Sequence, residues 1–321
     1  MKKESGKGGG FELTWWRSRG AEEIISSSEQ MLIDDTRLST GSNIVDKAFN
    51  GGIPKRILFE ITGEAGTGKT QWCLTLITSV LLRNVDFFKV TGELNNDIGV
   101  VCVIYTENGV FSYARLSEIL KSKLEFEYLK ANSKDKLDNN EDDILNILHK
   151  KLMNYVKVYK INTLEDLNVF LQRVIPGICL NHKIDAIFID SITNLYRSKV
   201  SFSENSSAST GLIQLSNVFK RISVDQDSWL IVTNQTTTEL SEFHIPGSNI
   251  FGNKQKPSLG LIWSNSINWR IFLSKSTSSC LGKDLNISYR ELRVELSSEI
   301  PKIKLPFCIQ KRGITDIEMD N

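Results

Sequence analysis

"EITGEAGTGKT", Glu60 to Thr70, runs without a break into "QWCLTLITSVLL", Gln71 to Leu82, and the reading of this stretch decides the fold. An apolar run, a glycine-rich turn and an amphipathic run in that order predict strand, loop and helix. The turn "GEAGTGKT" fits G-x-x-x-x-G-K-[ST], in which glycines let backbone N–H groups curl round phosphate oxygens while the helix offers its positive N-terminus. Gly63, Glu64, Ala65, Gly66, Thr67, Gly68, Lys69 and Thr70 are therefore the expected nucleotide-binding residues. Lys69 would reach the outer phosphates of ATP, and the Thr70 hydroxyl would sit on Mg2+.

Working outward, three more short apolar runs end in polar residues: "GVVCVIYT" before Glu107, "DAIFI" before Asp190 and "WLIVT" before Asn234. With "RILFEIT" before Gly63 they read as buried parallel strands. Helical patterns lie between them: "YARLSEILKSKL", "LEDLNVFLQRVI" and "TGLIQLSNVFKRIS". Strand alternating with helix implies an α/β fold with a mostly parallel central sheet covered by helices on both faces. Ligands of such sheets collect at the carboxyl edge. Lys69, Glu107, Asp190 and Gln235 all fall just beyond that edge.

Each of these side chains has a chemistry that suits a triphosphate. Asp190, closing an apolar strand, can hold Mg2+; alone it would read as a turn-forming acid, and the phosphate loop reverses that balance. Glu107 can orient and deprotonate a water, or be a solvated strand-end acid. Gln235 can hydrogen-bond a γ-phosphate without adding charge. The polar segment after it, Thr236 to Lys256, is too long for a routine connection and reads as a functional loop that ATP could order.

Composition bounds the rest. The 321 residues carry 39 Lys plus Arg against 38 Asp plus Glu, so DNA contact must come from local clusters and not from a global field. Five scattered cysteines form no C-x-x-C pair, which argues against zinc or a disulfide framework. No uncharged apolar stretch reaches membrane-spanning length, and no membrane partner is expected. Residues 1–35, rich in Gly, Ser and Glu, read as a flexible arm; 36–321 read as one domain with an inserted polar loop near 130–143.

The stretches "RLSTGSNIVDKAFNGGIP", "GEAGTGKTQ", "YTENGVFSYARL", "IFIDSITNLYRS", "IVTNQ" and "KPSLGLIWSNSINWRIFLSKS" resemble the eukaryotic RecA-type recombinases, and among them the recombinase paralogues, most of all the X-ray-repair cross-complementing type. The resemblance covers roughly Leu38 to Ile314. It implies a RecA-like P-loop ATPase core acting in homologous recombination in the nucleus. The partners it implies are another paralogue, the main strand-exchange recombinase, and single-stranded or branched DNA. It also places Arg115 against the adenine, a first DNA loop near Tyr196 to Ser209 and a second near Thr236 to Lys256. Arg197, Lys199, Lys254 and Lys256 are the candidate DNA contacts, although a solvated surface explains scattered basic residues equally well. One residue more than the family pattern separates Glu107 from Arg115. In the arm, Phe11 in "GFELTWW" is either a docking anchor or part of a disordered segment, with Thr14 where the family has alanine. Arg270 reads as structural or interfacial.

Overall fold

Apolar runs with no polar side chains satisfy their backbone groups best in the middle of a sheet. A computed structural model of the chain describes residues 37–88, 94, 98–196, 206–245, 248–275 and 289–317, with the backbone alone for 206–209, 238–245 and 248–254. All of them belong to the unit Thr36–Asn321. The arm, including Phe11 and Thr14, lies outside the described residues.

In chain order the strands are β1 (Arg37–Leu38), β2 (Ile53–Pro54), β3 (Leu58–Gly63), β4 (Val100–Tyr105), β5 (Val156–Lys160), β6 (Ile184–Asp190), β7 (Trp229–Asn234), β8 (Thr236–Ile245), β9 (Ser248–Pro257), β10 (Trp269–Lys275), β11 (Arg290–Leu296), β12 (Lys304–Gln310) and β13 (Gly313–Thr315). The helices are α1 (Asn43–Ala48), α2 (Lys69–Leu82), α3 (Tyr113–Ala131), α4 (Asn139–Met153), α5 (Leu164–Val169), α6 (Ile175–Asn181), α7 (Ser206–Asp225) and α8 (Gly260–Ser264). Among the described residues the main sheet has the order β13-β12-β11-β10-β3-β7-β6-β4-β5. From β10 to β5 every neighbouring pair is parallel; from β10 outward to β13 every pair is antiparallel. Among the described residues no helix is long and apolar enough to cross a membrane.

Side chains alternate between two cores with the period of two that a strand imposes. Val101 and Val103 of β4 join Phe188 of β6 and Ile231 of β7 in one core, under Trp72, Leu76 and Leu120 of α2 and α3. Cys102, Ile104, Ile187 and Val232 join the other, with Phe170, Leu212 and Phe219. That second core also encloses a charge. Glu60 of β3, fully buried, accepts hydrogen bonds from Trp263 Nε1 at 2.6 Å and Asn234 Nδ2 at 2.8 Å and pairs with the Arg270 guanidinium. Arg270 is thus structural.

Two expectations need correction. The polar loop near 130–143 is shorter than expected and spans only 132–138: α3 runs to Ala131, and Asn139 already opens α4. Two of the acids in this stretch, Asp138 and Glu141, are capping groups. Asp138 accepts from the Glu141 amide at 2.8 Å, and the Glu141 carboxylate accepts from the Asp138 amide at 3.0 Å, a reciprocal capping box. Leu145, Leu148 and Leu152 then anchor the helix on the core. The segment Thr236 to Lys256, expected as a loop, forms the antiparallel hairpin β8–β9, with Thr236 opposite Pro257 and Ile245 opposite Ser248. Its threonines favour extended backbone.

Two stability measurements follow. Asp138→Ala removes the cap of α4 and should cost about 1 kcal/mol in urea unfolding, while Asp138→Asn should restore most of it. Lys123 of α3 is buried, donates to Ser79 Oγ at 3.2 Å and is pushed down to about 8 by burial, with Asp46 and Glu127 opposing the shift and Arg312 assisting it. Between pH 8 and the usual lysine value of 10.5 the unfolded chain therefore holds more protons, so this group makes stability rise with pH across that window. Lys123→Met should be more stable than wild type at pH 7, by at most about 3 kcal/mol, and thermal melts should show the difference shrinking as pH climbs to 10.5.

Candidate functional site

The loop between β3 and α2 can only be built with glycine. A Cβ on Gly63 would stand 2.5 Å from the Leu273 carbonyl oxygen, and one on Gly68 would stand 2.8 Å from Ile309 Cδ1. Gly66 and Gly68 also have φ of +77° and +105°, the left-handed region that side chains disfavour. Thr67 is buried and donates to the Glu64 carbonyl at 2.9 Å, which folds the loop over itself. The N-terminus of α2 has neither a side-chain cap nor an acidic residue in its first turn. Its free amides and positive dipole end suit an anion.

A cavity of about 840 Å³ opens over this loop, lined by Glu64, Ala65, Gly66, Gly68, Lys69 and Thr70. Gly63 and Thr67 stand behind the lining as support. Lys69 Nζ donates to the carbonyls of Gly63 and Glu64, both at 2.8 Å. Burial lowers its proton affinity, and Asp190 and Glu107 pull it back up.

The facing wall comes from the tips of β4, β6 and β7. Asp190 accepts from the Thr70 hydroxyl at 2.9 Å and from the Thr233 hydroxyl at 2.6 Å. Burial raises its pKa, the two threonine hydrogen bonds lower it, Glu107 raises it and Lys69 lowers it. Glu107 Oε1 accepts from Ser191 Oγ at 2.7 Å and from Gln235 Nε2 at 3.2 Å, and its carbonyl accepts from Lys160. The Gln235 amide in turn donates to Thr193 Oγ1 at 2.9 Å. Lys69, Thr70, Glu107, Asp190 and Gln235 thus all line the same cavity.

These residues fit a magnesium-bound triphosphate. Thr70 and Asp190 offer hard oxygens within one hydrogen bond of each other, and among the described residues no three His, Cys, Asp or Glu side chains cluster into a complete metal site. A site that borrows its remaining oxygens from phosphate and water has this character.

The structure treats the other sequence-derived residues differently. Arg115 does not line the cavity. Its guanidinium donates to Gln71 Oε1 at 3.0 Å, Glu118 at 2.6 Å and the Gln310 carbonyl at 2.6 Å, so it holds Gln71, which does line it. Arg197 and Lys199 lie outside the described residues, and Lys254 is described by its backbone alone. Lys256 is exposed on β9 next to Gln255, a lining residue.

Sequence reading missed Gln71, Tyr105, Thr236, Gln255, Arg290 and Ile309 on the cavity wall. Tyr105 was within reach of the period-two rule, being two residues before Glu107. Arg290 and Ile309 needed the order of the antiparallel strands, which no local pattern carries.

Comparison with known proteins agrees with this architecture. The Rad51 family profile matches residues 32–317. The DNA repair protein rhp57 of Schizosaccharomyces pombe is 28% identical over 304 residues, covering 86% of this chain and 78% of the relative. The DNA repair protein XRCC3 homolog of Arabidopsis thaliana is 27% identical, covering 88% and 93% respectively, and mouse DNA repair protein XRCC3 is 21% identical, covering 93% and 80%. With a glycine-built phosphate loop on a mostly parallel sheet and a family match along nearly all of its length, the chain belongs to the Rad51 family and carries that family's RecA-like core.

Proposed function

We propose that this chain is an ATP-binding, DNA-dependent ATPase subunit that acts in homologous recombination and double-strand break repair in the nucleus, assisting recombinase filaments on single-stranded DNA. Its partners are another recombinase paralogue and the main strand-exchange recombinase. The observation that carries the reading is the convergence of Lys69, Thr70, Asp190, Glu107 and Gln235 on one cavity. The DNA repair names of its relatives supply the biological direction.

In this reading the loop amides and Lys69 hold the phosphates, while Thr70 and Asp190 hold magnesium. The metal ion supplies charge neutralisation on the phosphate oxygens. Glu107 orients the attacking water and takes its proton, with Ser191 fixing the carboxylate's direction. Gln235 joins the two halves of the device: its amide side chain touches Glu107, and its backbone leads directly into β8, the first strand of the hairpin.

One observation favours a second reading, an assembly subunit in which bound ATP acts structurally with negligible turnover. Glu107 Oε1 already accepts from Ser191 Oγ and Gln235 Nε2, so both lone pairs of that oxygen are taken and neither faces an attacking water. Slow hydrolysis together with ATP-dependent capture of a paralogue would select that reading.

Steady-state hydrolysis of ATP with and without single-stranded DNA tests the enzyme claim. Lys69→Ala should reduce the DNA-stimulated rate by roughly a hundredfold, as loss of a phosphate-holding cation does at such sites; equal residual rates in both proteins would remove the claim. For DNA contact, the fourfold alanine variant of Arg197, Lys199, Lys254 and Lys256 should bind single strands more weakly and with a flatter salt dependence. Each lost phosphate contact reduces the log–log slope by about 0.7. An unchanged slope would return these residues to the solvated surface.

A further inference from the structure

The antiparallel half of the sheet brings a second pair of cations to the phosphate loop. β10 runs parallel to β3, and β11 runs back against β10, so the last residue of β10 meets the first residue of β11 at the carboxyl rim. Those two residues, Lys275 and Arg290, are partners in the ladder. Like charges directly opposite each other destabilise a strand pair, and an anion lying between them relieves that cost.

Both side chains reach the glycines. Lys275 Nζ lies 3.4 Å from the place a Cβ would occupy on Gly66, and Arg290 Cδ and Nε lie 3.6 and 3.7 Å from the same place on Gly68. Arg290 is half-buried and lines the cavity beside Ile309, while Lys275 is exposed at the rim. Burial pulls the Arg290 guanidinium below its ordinary proton affinity, yet arginine keeps its charge at neutral pH. By strand order the pair lies on one side of β3, and Asp190 and Glu107 lie on the other.

We propose that Lys275 and Arg290 form a second cationic clamp of the nucleotide site, which grips the polyphosphate from the flank opposite the two acids. The inference rests on the ATP reading above and adds to it the residues that register phosphate number. A magnesium-bound triphosphate remains negative after Lys69 is counted, and the clamp neutralises that remainder. Arg290, with a planar fork of donors, can hold two phosphate oxygens at once, whereas Lys275 contributes a point charge. ATP and ADP should feel the pair strongly, and AMP much less.

Calorimetric titration of Mg-ATP, Mg-ADP and AMP into the full chain tests this, using wild type, Arg290→Ala, Arg290→Lys and Lys275→Ala. Arg290→Ala should weaken ATP and ADP by roughly tenfold or more, the scale of one charge-assisted contact, with a smaller change for AMP. Arg290→Lys should recover part of the loss, and Lys275→Ala should fall in between. Melting of the nucleotide-free proteins separates binding from architecture. Removal of either like charge should leave the melting temperature unchanged or raise it, while the upward shift on adding ATP shrinks. Wild-type affinity for ATP in both alanine variants would overturn the clamp, as would a lower nucleotide-free melting temperature with affinity intact. Should Arg290→Ala fail to fold, the exposed Lys275→Ala variant decides. Failure of the wild type itself to bind ATP would sink the nucleotide reading, and the clamp with it.

Discussion

A carboxylate with no water around it dictates how the centre of this sheet is assembled. Glu60 is fully buried in the middle of β3, in register with Arg270 on one side and Val232 on the other. An unpaired charge there would be prohibitive, and even a paired one gains little net stability over apolar packing. Its effect is on geometry. Arg270, Trp263 and Asn234 must each stand at one place to satisfy it. A one-residue slip of β3 would turn Glu60 onto the other face, towards Phe49 and Trp269 and away from Arg270, Trp263 and Asn234. The register of β3, β7 and β10 is therefore fixed by one acid, and the ends of those strands are where Gly63, Gln235 and Lys275 emerge.

The site inherits its polarity from this arrangement. On one flank of β3, strands β7, β6 and β4 deliver Gln235, Asp190 and Glu107; on the other, β10 and β11 deliver Lys275 and Arg290. Lys69 sits between the flanks at the start of α2. Acids suited to a metal ion and cations suited to phosphate are thus kept apart by the width of the glycine loop. The sharing of Asp190 between Thr70 and Thr233, and of Glu107 between Ser191 and Gln235, orients both carboxylates.

Much of this was legible in the sequence where burial and sterics leave few choices. The runs that became β3, β4, β6 and β7 are buried on both faces, so they read as continuous apolar segments, and the loop glycines occupy conformations that few other residues adopt. Legibility fails where a pattern has two physical meanings. "VKVYK" of β5 sits at the sheet edge with only Val156 buried and looks like an ordinary polar-apolar mixture. Asp138 and Glu141 have the composition of a loop and the function of a cap. The threonine-rich start of β8 looks like a flexible segment because its partner residues near Pro257 are some twenty positions further along the chain. Arg290 belongs to the site only through strand order, which the residues around it do not encode.

The hairpin illustrates how the buried acid and the exposed cavity are joined. The Gln235 carbonyl accepts from the Ser258 amide at 2.8 Å, and Asn234 Nδ2 divides its donors between Glu60 at 2.8 Å and the Ser258 carbonyl at 3.0 Å. Both feet of β8–β9 are therefore bolted to the same network that sets the register of β3. Thr236 and Gln255, just above those feet, line the cavity. Feet held this firmly give Thr236 and Gln255 a fixed base beside the cavity. The enclosed carboxylate at Glu60 anchors that base, because movement there would strand a buried charge.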